Sequence, residues 1–91
     1  MRSRINSPPV AEQLRNEAVI DSTETLGALI RLQRKQIALN QLDLAGLGNT
    51  GNRFIVELER GKPTLQLQKV LHVMDLLGLE MVVRRKSGRA L

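Results

Sequence analysis

Apolar side chains recur in helical steps over four stretches of this chain and then alternate over one short one. Between residues 23 and 37, Leu26, Leu29, Ile30 and Ile37 keep helical spacing, with Leu26, Ile30 and Ile37 on one stripe. Arg31, Arg34 and Lys35 lie mostly away from that stripe and are expected on a solvated face. Asp21 or Ser22 can cap this helix, and Glu24 stands three residues after Asp21, as a capping box requires. Gly27 in its interior costs up to about 1 kcal/mol relative to Ala, which points to close packing.

Ala38 and Leu39 make a turn, and Asn40 is a good N-cap for a second helix over 41–47, with Leu42, Leu44, Ala45 and Leu47 on its apolar side. Gly46, Gly48 and Gly51 bracket the next connection. A third helix is predicted over 52–60, with Phe54, Ile55 and Leu58 inward, Gly61 as its C-cap and Pro63 barring continuation. Thr64 is expected to cap a fourth helix over 65–77, where Leu67, Val70, Leu71, Met74 and Leu77 trace a stripe that Gly78 closes. Over 79–84 the pattern turns β-like, and a lone strand must pair with another chain or not form.

The predicted organisation is all-α: a small helix-turn-helix bundle of four to five helices followed by a short C-terminal strand. Residues 1–21, with Pro8-Pro9 and room for a short helix over 10–17, read as a partly ordered arm bearing Arg2 and Arg4. Residues 22–78 form the domain, 79–84 the strand and 85–91 a basic flexible tail.

Composition narrows the function. Apolar residues make up 42% of the chain, too many for a disordered one. Without cysteine there are no disulfide staples, and a domain this small often gains stability by oligomerising. Phe54 is the single aromatic residue, which argues against stacking platforms for single-stranded nucleic acid. A net charge of +5 favours the phosphate backbone of nucleic acid as partner. No apolar run approaches the ~20 residues of a membrane span, and no secretory signal is legible, so the expected location is the cytoplasm.

Gly46-Leu47-Gly48-Asn49-Thr50-Gly51 matches the dinucleotide-binding spacing G-x-G-x-x-G. That motif needs a strand before it and a parallel sheet around it, and neither is legible here. The glycines instead suit a tight turn between two packed helices. His72 has no second ligand type near it and is assigned to packing or exposure, so no metal site is expected. No nucleophile, base and orienting group assemble, so neither an enzyme nor a cofactor is expected.

A helix-turn-helix braces its first helix on the DNA backbone and sets the start of its second in the major groove. Asn52 and Arg53 stand at that start: Asn can bridge adenine N6 and N7, Arg guanine O6 and N7. Thr50 lies just before them, and Gly51 lets the backbone approach a phosphate at the helix N-terminus. Gln41, Arg60 and Lys62 are further candidates for phosphate contacts.

The run Leu26-Gly27-x-x-Ile30-Arg31-x-x-Arg34, then Asn40-Gln41-x-x-Leu44-Ala45, then Phe54-Ile55-x-x-Leu58-Glu59-Arg60-Gly61-Lys62-Pro63 resembles the Cro/phage-repressor (XRE) helix-turn-helix family. The ending Val70-Leu71-x-x-Met74-Asp75-x-Leu77-Gly78-Leu79-Glu80 looks like its HipB-like antitoxin branch, and the resemblance spans residues 23–83. It implies a homodimer on a palindromic operator in its own promoter and a HipA-like kinase toxin as partner. It also implies that the strand, through Leu79, Met81, Val82 and Val83, pairs with its dimer mate. By position it assigns base reading to Asn52 and Arg53, places Val56 on the groove-facing side, and assigns backbone binding to Gln41. Three positions depart from the family pattern: Asn40 stands for the usual Thr, Gly51 for the usual Ser cap, and Thr50 for an apolar residue. Glu59 fits the pattern and is expected to serve structure through a helix-turn contact or an ion pair. Alternatives are a stand-alone XRE regulator without a toxin, and an interaction module whose basic surface only solubilises it.

Overall fold

A computed structural model describes residues 17–86. Four helices follow one another: α1 (Thr23–Gln36), α2 (Gln41–Gly48), α3 (Asn52–Arg60) and α4 (Leu67–Leu76). Ser22 caps α1, its Oγ accepting from the Thr25 amide at 3.0 Å, so the capping box expected from Asp21 and Glu24 is not used. Beyond the C-cap Ile37, Ala38 holds a left-handed φ of 61° while the Leu39 amide donates to the Arg34 carbonyl. Asn40 caps α2 in a full capping box: its Oδ1 accepts from the Asp43 amide at 2.7 Å and Asp43 Oδ2 from the Asn40 amide at 3.0 Å.

The turn between α2 and α3 is not made by its glycines. Gly46 and Gly48 lie inside α2, and the left-handed residue is Asn49, with φ 53°. Asparagine tolerates that region better than most side chains, because its short polar group bonds locally. Gly48 serves packing: a Cβ there would lie 3.3 Å from Leu76 Cδ1 of α4. Gly51 is the extended N-cap of α3 and offers no side-chain bond.

Two other glycines set the crossing of α1 and α3. A Cβ on Gly27 would sit 2.5 Å from the Leu58 carbonyl oxygen and 2.7 Å from that of Glu59. Gly61, the left-handed C-cap of α3 at φ 86°, would place a Cβ 2.6 Å from Glu24 Cα. The two helix backbones therefore touch, as the helix-interior glycine implied. One fully buried side chain comes from each helix, Ile30, Leu44, Ile55 and Val73, each worth about 1.5–3 kcal/mol of burial. Ala45, Leu58, Val70, Met74 and Leu77 complete the buried cluster.

Several expectations need correction. Helix α4 starts at Leu67 behind Gln66, with residues 63–65 in a turn, so Thr64 is not its cap. Leu42, Leu47 and Leu67 are exposed, as is Ile37. Helix α2 has little more than two turns, and Leu44, Ala45 and Gly48 occupy the side that meets the core, which leaves Leu42 and Leu47 flanking it. Arg34 is buried rather than solvated, because the inner stripe of α1 runs through Gly27, Ile30 and Arg34.

Residues 79–86 carry no regular structure, so the strand expected over 79–84 is not formed in the single chain, where no backbone among the described residues pairs with it. Gln33 Nε2 donates to the Leu77 carbonyl at 2.8 Å, and Arg84 Nη1 to Glu17 Oε2 at 2.8 Å on the surface. Most of the arm, including its possible helix over 10–17, and the tail beyond residue 86 lie outside the described residues.

Candidate nucleic-acid interface

Helix α2, three turn residues (49–51) and α3 form one unit, held on the core by Leu44, Ala45, Ile55 and Leu58. Because Ile55 and Leu58 face inward, helical spacing puts Arg53, Val56 and Arg60 on the outer side of α3, while Asn52 is its first residue. Asn52, Arg53 and Arg60 are exposed; Val56 is half-buried. Thr50 is half-buried beside the exposed Gly51, where a Cβ would meet nothing within 4 Å. The α3 N-terminus is thus open to an approaching anion, whose charge the helix dipole favours.

Gln41 opens α2 and is tied to the interior rather than loose. Its Nε2 donates to Glu59 Oε1 at 3.1 Å, leaving the second amide hydrogen for another acceptor. Glu59 in turn receives Arg34 through both oxygens, Nε to Oε2 at 2.6 Å and Nη2 to Oε1 at 2.9 Å. Arg34 also donates from Nη1 to the Leu39 carbonyl at 2.8 Å, so α1, the turn before α2, and α3 meet in one buried knot. The Glu59 hydrogen bonds hold the Arg34 guanidinium further toward its charged form than usual, against the opposing effect of burial. This is the ion pair expected of Glu59, with Arg34 as the partner that sequence reading placed in solvent.

A second carboxylate lies among the candidate DNA contacts. Glu57 Oε2 accepts from Lys62 Nζ and from Arg53 Nε, each at 3.2 Å. These bonds, Lys62 first, hold the Glu57 carboxyl below the usual carboxylate range. Arg53 and Lys62 are therefore joined by an acid that sequence reading had passed over, although its i+4 distance from Arg53 was visible. Lys69, on the first turn of α4, sets its Nζ 5.8 Å over the ring of the half-buried Phe54 and adds a cation beside α3.

The fold and this surface define a helix-turn-helix DNA-binding domain. The chain is 51% identical over 70 residues to the HTH-type transcriptional regulator y4mF of Sinorhizobium fredii, a match covering 77% of this chain and 92% of that protein. The chain belongs to the HTH-type transcriptional regulators. Its fold is shared with solved structures: a chain of the HipA-HipB-O2-O3 complex and one of the HipB-O4 20mer complex each superpose with a TM-score of 0.71. Both are 21% identical to it, and each match covers 77% of this chain and 99% of the other. No protein-family model matches the chain.

Proposed function

We propose that this chain is a DNA-binding antitoxin and transcriptional autorepressor of a toxin-antitoxin operon, acting in the cytoplasm as a homodimer on a palindromic operator and neutralising a HipA-like Ser/Thr kinase. The carrying observation is the open α3 N-terminus with exposed Asn52 and Arg53, on a helix whose Glu59 is tied to α1 and α2 through Arg34 and Gln41. Asn52, Arg53 and Val56 read bases. Gln41, Thr50, Gly51, Arg60 and Lys62 hold the backbone. Dimerisation falls to the C-terminal segment, where Met81, Val82 and Val83 are 48%, 69% and 88% exposed and, with the half-buried Leu79, supply an apolar edge for a second copy.

The likeness to a chain solved together with HipA supports the kinase partner. The similarity to y4mF, named only as a transcriptional regulator, favours a second reading, a stand-alone regulator without a toxin. Sedimentation with footprinting on the upstream region tests the shared part. Two protected half-sites about one helical turn, roughly 34 Å, apart or a multiple of it are expected from a dimer. V83K should give monomers that protect neither. Co-expression with the product of the adjacent gene separates the two readings: a kinase that co-purifies and is silenced supports the antitoxin, and the absence of any such partner supports the regulator.

A further inference from the structure

Resting on the DNA-reading function above, we propose that Glu57 is a positioning residue for base recognition: it grips Arg53 by its Nε edge and turns the two terminal nitrogens outward as a fork for guanine. The carboxylate is the anchored member of the pair. Its side chain is 24% exposed and shared with Lys62, whereas that of Arg53 is 89% exposed and reaches into solvent. Only Nε of Arg53 contacts Glu57, at 3.2 Å, and no acceptor among the described residues engages Nη1 or Nη2. Those two nitrogens form the end of the guanidinium, whose spacing fits guanine O6 and N7. A phosphate can take the same fork, so the two targets are separated by base preference, which a contact to a base edge confers and a phosphate contact does not.

The sign of the charge supports the same reading. An acid between Arg53 and Lys62 repels a polyanion and weakens attraction to any phosphate backbone. Its presence there does not serve affinity, so its contribution is direction. Restraining the long arginine before binding also lowers the rotamer freedom lost on contact.

The test measures binding of the full chain to its upstream operator, with each base in turn at every half-site position and a scrambled duplex alongside. The proteins are wild type, R53A, E57A and E57Q. Wild type is expected to prefer guanine at one position per half-site by about tenfold or more, the worth of one bidentate contact. R53A and E57A should both lose that preference. E57A should also bind the scrambled duplex more tightly than wild type, because Arg53 and Lys62 are freed for phosphates. E57Q retains an oxygen that accepts from Nε and should keep most of the guanine preference, which a purely electrostatic role would not allow. Unchanged guanine preference in E57A would overturn the proposal, as would E57Q failing as fully as E57A. If wild type itself binds operator and scramble alike, the DNA-reading function falls first and the role of Glu57 with it.

Discussion

Glu57 and Glu59 stand two residues apart on α3 and each accepts from an arginine, yet the two pairs do opposite work. Arg34–Glu59 is sealed, with side chains 7% and 2% exposed, and each supplies the other's compensating charge, while Gln41 and the Leu39 carbonyl add further hydrogen bonds. Arg53–Glu57 is open on the arginine side at 89% exposure, so water replaces either partner at little cost. The same chemical pair is a structural joint when buried and a steering device at the surface. Helical geometry separates them: a step of two residues turns the side chain about 200° around the helix.

Breaking the buried pair should have the largest effect. E59A or R34A leaves an uncompensated buried charge, expected to cost about 3–5 kcal/mol. At about 4–8 °C per kcal/mol for a domain of this size, thermal melting should then show a fall in Tm of tens of degrees, or no folded state at all. The double change R34M/E59L removes both charges and should recover most of the loss, because well-packed apolar substitutes for a buried pair are often neutral or better. Operator binding by that double variant should remain weak, since Gln41 loses the Glu59 oxygen that orients it.

The α1–α3 crossing that encloses the pair comes next. G27A drives a methyl into the Leu58 and Glu59 carbonyls and should cost about 1–3 kcal/mol in a denaturant titration. At the surface the ranking reverses. R53A should leave the melting curve unchanged and weaken operator binding by about 1–3 kcal/mol.

The smallest effect concerns protonation of Glu57. Its folded pKa lies below the usual carboxylate value, so the pairing is present above that value and is lost as pH falls through the lowered folded pKa. Carbon NMR of the Glu57 carboxyl should titrate below that ordinary value, and K62A should move the midpoint upward, because Lys62 is the larger cause.

Much of this was legible in the sequence. The helix ends at Asn40, Gly61 and Gly78, the tight approach at Gly27 and the helix-turn-helix itself follow from local rules that tertiary contacts did not override. What escaped was decided by packing. Arg34 reads as a surface residue because charge is its most visible property, and only the crossing at Gly27 shows that its position on α1 faces inward. Leu42 and Leu47 read as core because they are leucines, yet a short helix offers few positions to the interior. Thr64 has the chemistry of a cap, but the turn at 63–65 delays the helix to Leu67. Glu57 escaped for a different reason: an i+4 acid is commonplace, and its meaning depends on which face of α3 is open.

The most direct test of the account is a salt titration of wild type and R53A on the upstream promoter fragment against a scrambled duplex. Wild type is expected to prefer the promoter, with log affinity falling linearly in log salt and a slope that counts phosphate contacts. R53A should keep nearly that slope while losing most of the preference. Equal affinity of wild type for promoter and scramble at every salt concentration would contradict the reading of α3 as a base-reading helix.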